Sequence, residues 1–143
     1  MAAWQDSRGV QWVLVPFWGP VSRTFRAPVE YGRPKMGGAA AFKLEETSEG
    51  EWQLNPTWWT SRDLAAPLTP IVVNGVAFAA SGPSNAPAAL YAMDGATGKP
   101  LWQSENAMTS PLSGRSFWIG SGHAFVGTRD GTIYAFGFAM ERK

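Results

Sequence analysis

Apolar residues recur along this chain in short runs broken by glycine, proline, asparagine or aspartate, and no run has helical spacing. Thr69 to Val73 and Val76 to Ala80 flank Asn74-Gly75, a pair that predicts a type I′ hairpin because both central residues of that turn need a positive φ. A second hairpin is predicted from Ser116 to Ile119, a Gly120-Ser121-Gly122 turn and His123 to Gly127. The tight turn Arg129-Asp130-Gly131 then delivers a strand from Thr132 to Phe138. Near the start, Ala2 to Gln5, Ser7-Arg8-Gly9 and Val10 to Val15 predict a further hairpin with a clipped first strand. Val76 to Ala80 and Thr132 to Phe138 are apolar or aromatic on both alternating faces, so such strands need cover on both sides. Phe17 to Gly37 is too rich in proline and glycine to assign to an element.

The pattern repeats. Gly38 to Glu46 leads through a polar turn, Thr47 to Gly50, to Trp52-Gln53-Leu54. Ala89 to Asp94 leads through Gly95 to Lys99 to Leu101-Trp102-Gln103. Gly131 to Gly137 repeats the strand a third time. Trp52 and Trp102 lie 50 positions apart, and Tyr91 and Tyr134 lie 43 apart, within the range of about 40–50 residues used by propeller blades. The expected fold is all-β: a β-propeller segment of about three four-stranded antiparallel blades, forming an incomplete ring in one domain. The first blade is expected over residues 1–55 with the long loop 17–37, the second over 68–104, and the third over 110–138 without its fourth strand. Stacked sheets cover both faces of a strand without helices.

Tyr91-Ala92-Met93-Asp94-Gly95-Ala96-Thr97-Gly98-Lys99-Pro100-Leu101-Trp102 resembles the tryptophan-docking repeat of pyrroloquinoline quinone (PQQ) dehydrogenases and their non-catalytic relatives. The first unit keeps Ala41, Gly50 and Trp52 but carries Glu45 and Glu46 where the turn acid is expected. The third keeps Tyr134-Ala135 and stops before its tryptophan. The resemblance covers roughly residues 38–138 and implies a WD-repeat-like propeller. It also implies either a quinone- and calcium-dependent alcohol or sugar dehydrogenase or a docking platform like the lipoprotein of the outer-membrane barrel assembly machinery. By the same resemblance, PQQ and calcium would belong to a full-length parent, and a periplasmic or extracellular location would follow if a leader precedes this sequence.

The motif also has a plain physical reading. Asp94 before a Thr97-Gly98 turn is placed to accept backbone N–H bonds, Gly98 is free to take a positive φ, and the tryptophan returns onto the sheet. A buried indole covers about 150–250 Å², worth up to roughly 4–6 kcal/mol before entropic offsets. Trp52 and Trp102 are therefore expected to pin neighbouring blades.

Composition supports the strand reading: 16 glycines, 11 prolines and 13% aromatic residues suit short strands joined by tight turns. The net charge is +1, with 12 basic residues scattered among 11 acidic ones, so no nucleic-acid partner is expected. No apolar run approaches membrane-spanning length, and the absence of cysteine excludes disulfides, thiolate metal sites and cysteine nucleophiles. Met1 to Gly9 lacks the pattern of a signal peptide and opens directly in strand sequence, as expected of part of a longer propeller. About three blades leave apolar end faces, so missing blades, protein partners or self-association are expected to cover them.

Candidate chemistry is sparse. Glu30, Asp63 and Glu105 are the acids outside turns, and Asp94 and Asp130 are explained by their turns. His123 follows the Gly122 turn without recognisable partners for a zinc site or a hydrolytic triad. Adjacent Trp58 and Trp59 point to opposite sides, so one could stack on a quinone or a sugar, or one could plug a blade interface while the other covers a loop. The linker Ser81 to Ala88 is expected to be an exposed loop open to partners. The expected function is a scaffold or binding platform without a complete catalytic centre. The alternatives are a fragment of a PQQ- and calcium-dependent dehydrogenase and a carbohydrate-binding propeller.

Overall fold

The computed structural model describes residues 1–137 apart from Tyr31, Ser61 and Ser116. The expected strand end at Phe138 and hairpin start at Ser116 lie outside the described residues. The chain is all-β, with no helix among the described residues.

Strands β1 (Ala2–Gln5), β2 (Gln11–Trp18), β4 (Gly37–Glu46) and β5 (Trp52–Trp59) form an antiparallel meander, and β3 (Val29–Glu30) lies parallel to β5 at its outer edge. Together they make sheet 1. Strands β6 (Ile71–Val73), β7 (Val76–Ser81), β8 (Ala89–Asp94) and β9 (Pro100–Gln103) form the antiparallel sheet 2. Sheet 3 contains β10 (Trp118–Gly120), β11 (His123–Gly127) and β12 (Ile133–Gly137). Among the described residues, no sheet closes on itself.

Two features depart from the expected blade boundaries. The segment 17–37 is not wholly loop, because β2 runs on through Phe17 and Trp18, and Val29–Glu30 pair with Trp58 and Trp59. Proline does not break β2, since β1 stops where Ala2 meets Leu14 and so leaves Pro16 paired on one side only, with Ala39. Sheet 1 also reaches Trp59, past the expected limit at residue 55.

Cross-strand registers select equivalent positions in all three sheets. Trp4, Trp12 and Lys43 form a row in sheet 1, Ile71, Phe78 and Ala92 in sheet 2, and Trp118, Phe125 and Ala135 in sheet 3. A second row pairs Leu14 with Ala41, Ala80 with Leu90, and Gly127 with Ile133. These rows define a leading face on each sheet, and the intervening residues define its trailing face. Trp12, Leu14 and Ala41 on the leading face of sheet 1 share a buried cluster with Ala77, Ala79 and Met93 on the trailing face of sheet 2. Ala80 and Leu90 likewise share a cluster with Ala124 and Val126 of sheet 3. Strand β7 thus feeds two cores, and its run of alanines lets sheets approach closely on both sides.

Candidate functional site

The junction between sheets 1 and 2 is built around the turn that follows β8. Asp94 Oδ1 accepts the amides of Ala96 (3.0 Å) and Thr97 (2.8 Å) and the Thr97 hydroxyl (2.9 Å). Gly98 donates to the Asp94 carbonyl at 2.8 Å with φ at 72°, a conformation that glycine adopts without a Cβ penalty. Onto this turn lies Trp58, whose Nε1 donates to the Gly95 carbonyl at 3.1 Å. Trp58 reaches it through an irregularity in β5: Pro56 pairs with Phe42 and Trp58 with Ala41, leaving Thr57 as an extra residue. That bulge turns Trp58 to the leading face, where simple alternation from Leu54 would have turned it away.

The tryptophans expected to pin the sheets are therefore differently placed. Trp52 is 61% exposed at the tip of sheet 1, opposite Glu46. Trp102 returns opposite Ala92 and packs against Phe136 of sheet 3 with ring centroids 5.2 Å apart. Trp52 opens β5 opposite Glu46 on the trailing face, whereas Trp102 stands third in β9 opposite Ala92 on the leading face, so the two indoles occupy non-equivalent positions. Trp58 and Trp59 are both completely buried, the Trp59 indole donating to the Gly32 carbonyl. Neither presents a ring face for a quinone or a sugar, which corrects that expectation.

The remaining turns are distributed around the stack. Asn74 (φ 49°) with Gly75 (φ 76°), and Ser121 (φ 52°) with Gly122 (φ 74°), form two-residue hairpin turns. Asp130 Oδ1 accepts the Thr132 amide and the Thr128 hydroxyl, and Gly131 follows it with φ at 84°. Those bonds, the Thr128 hydroxyl first, hold the Asp130 carboxyl below the usual aspartate range. Tyr134 stacks on Phe136, and Ala135 lies exposed on the leading face of sheet 3.

The candidate acids are scattered. Asp63 Oδ1 accepts the amides of Lys35 and Met36, fastening its loop to the base of β4. Glu30 is exposed on β3, and Glu105 stands in a turn with φ at 48°. His123 places Nδ1 2.8 Å from the Ser121 carbonyl. Among the described residues, no three metal-ligating side chains come together. The linker from Ser81 to Ala88 is buried at both roots and exposed at Ser84 and Asn85.

What the stacking does assemble is a cleft of about 340 Å³ between the Thr60–Leu64 segment, Ser61 lying outside the described residues, and strands β8 and β9. Leu64, Met93 and Trp102 are among its lining residues. Arg62 and Tyr91 border both this cleft and an adjoining recess that includes Gln103, Glu105 and Asn106. Burial raises the Tyr91 hydroxyl above the usual phenol range, against the opposing pull of the Arg62 charge. The hydroxyl thus stays a donor, and Arg62 has no ion pair among the described residues. The sequence gives no local sign of this group, whose members come from three separate segments. Glu105 alone was a candidate by its residue type. No family model, curated protein or solved structure matches the chain.

Proposed function

We propose that the chain is a propeller segment of quinoprotein-type repeats that serves as a scaffold and binding platform rather than as a self-sufficient catalyst. The observation that carries this reading is the common cross-strand register of the three sheets, with the leading face of one sheet packed on the trailing face of the next. A ligand for such a platform is best met at the Arg62–Tyr91 cleft, where donors and acceptors of both charge signs converge beside apolar walls. The carboxylates of Asp63, Asp94 and Asp130 are already committed to loops and turns. Incubating the chain with PQQ and calcium and assaying dye-linked oxidation of alcohols and sugars should give no turnover. Sustained turnover would overturn the proposal.

Carbohydrate binding is a second reading, favoured by one arrangement. Trp102 is 36% exposed in a cleft whose adjoining recess carries Gln103, Glu105 and Asn106, the mixture of flat apolar surface and planar polar groups that suits a sugar ring. Titration with neutral sugars should quench tryptophan fluorescence in the parent and not in Trp102→Phe. Equal quenching in both would remove this reading.

A further inference from the structure

The recess beside β8 and β9 holds two opposite charges that do not meet. Arg62 and Glu105 both line it, yet the ion pair found among the described residues joins Arg8 to Asp6 and leaves these two apart. Tyr91, Gln103 and Asn106 complete the wall, and none of the five side chains makes a hydrogen bond among the described residues. Asp63, Asp94 and Asp130, by contrast, each accept backbone amides.

Each of these groups is carried on a braced element. Arg62 stands between Thr60, whose amide donates to the Ala39 carbonyl at 2.9 Å, and Leu64, whose amide donates to the Gly37 carbonyl at 2.9 Å. Tyr91 and Gln103 are directly opposed on neighbouring strands, on the trailing face of sheet 2. Buried Ser104 ties down the turn that follows: its amide donates to the Leu90 carbonyl at 2.9 Å, its hydroxyl accepts the Leu90 amide at 3.0 Å, and its carbonyl accepts the Ala107 amide at 3.1 Å. That turn presents Glu105 and Asn106 to the recess. Glu105 holds φ at 48°, where glycine or asparagine would sit with less strain, and the turn gains no hydrogen bond from its carboxylate.

We propose that this recess and the adjoining cleft bind a free α-amino acid with an apolar side chain. Arg62 and Tyr91 take the carboxylate, Glu105 takes the ammonium with the amide oxygens of Gln103 and Asn106, and the ligand's side chain enters the cleft beside Leu64 and Met93. The proposal rests on the reading of this cleft as the ligand site of a binding platform. Charge selects the class. A simple carboxylate or a phosphate would face Glu105, and a simple amine would face Arg62. A neutral polyol would draw both charges out of water without an opposite charge to meet either. A zwitterion meets both. Leu64 and Met93, themselves buried, give the cleft apolar walls, and its volume of about 340 Å³ lies within the range of about 300–1,000 Å³ for small-molecule sites.

Isothermal titration calorimetry with L-leucine should show one saturable site per chain. N-acetyl-L-leucine, which lacks the cation, and L-leucinamide, which lacks the anion, should each bind at least about tenfold more weakly. Arg62→Gln and Glu105→Gln should each weaken leucine by at least about tenfold and leave the thermal transition in place, because both side chains are exposed and make no hydrogen bond among the described residues. Arg62→Gln should also erase the preference for leucine over leucinamide, and Glu105→Gln the preference over N-acetyl-leucine, a switch that general loosening of the fold does not produce. The absence of saturable heat with leucine, an N-acetyl derivative that binds as tightly as leucine, or displacement of leucine by glucose would overturn the proposal. The platform reading stands or falls separately, on the turnover assay with PQQ and calcium.

Discussion

The indole of Trp58 lies so close to Gly98 that a methyl group on the glycine would stand 2.5 Å from Trp58 Cδ2. One aromatic ring on sheet 1 thereby fixes the position of a turn on sheet 2, and both halves of the contact are specified by backbone. Gly98 has φ at 72°, and Trp58 is aimed by the bulge at Thr57.

Gly98→Ala should therefore destabilise the chain by about 3–4 kcal/mol, from left-handed strain plus overpacking. Gly131 provides the control. It has φ at 84° but no atom within 4 Å of a Cβ position, so Gly131→Ala should cost only the strain, about 1–2 kcal/mol. Chemical denaturation of the two variants isolates the indole contact as their difference. Equal losses would mean that Trp58 gives way and does not pin the turn.

Trp58 and Trp52 should respond oppositely to the same truncation. Trp58→Ala removes a fully buried side chain and strands the Gly95 carbonyl, for a loss of about 3–5 kcal/mol. Trp52→Ala removes a side chain already 61% exposed and should cost under about 0.5 kcal/mol. The motif pattern alone assigns the larger effect to Trp52, so urea midpoints of the two variants decide between sequence register and sheet register.

That divergence shows where the sequence stops being legible. Strands and hairpin turns are local matters, set by alternation and by residues such as Asn74-Gly75 and Asp130-Gly131, and the chain states them openly. Which indole reaches the next sheet depends on how far along the returning strand it stands and on the bulge at Thr57, neither of which alters the hydrophobic pattern. Strand β3 is two residues long and follows Pro28, too short to show a period. The cleft is least visible, because Arg62, Tyr91 and Asn106 become neighbours only when sheets 1 and 2 stack.

Two turn aspartates should govern the acid limb of stability. Asp6 is held below the usual range, chiefly by the Trp12 Nε1 bond at 3.1 Å and further by the amides of Val10 and Arg8. Asp130 is held down by the Thr128 hydroxyl and the Thr132 amide. Because both folded values lie below the unfolded ones, the unfolded chain binds more protons as the solution turns acid. Their stabilisation is present above the unfolded aspartate value, about pH 4, and is lost as pH falls through the folded values. Asp6→Asn and Asp130→Asn should flatten the dependence of the melting temperature on pH below about 4. An acid limb as steep as the parent's in the double variant would show that other groups carry it.

The ionisation of Tyr91 reports on the cleft directly. Its hydroxyl is raised by burial, and the Arg62 cation opposes that rise. Removing the cation should therefore raise the phenol further. Ultraviolet titration of Arg62→Gln should move the Tyr91 component to higher pH than in the parent, the component being assigned by its loss in Tyr91→Phe. An unchanged midpoint would place the guanidinium too far from the phenol to act with it on a ligand. A shift in the expected direction would establish that the two groups share one electrostatic environment. The cleft then presents a fixed cation beside a hydroxyl kept as a donor, an arrangement suited to holding the acceptor oxygens of a polar ligand.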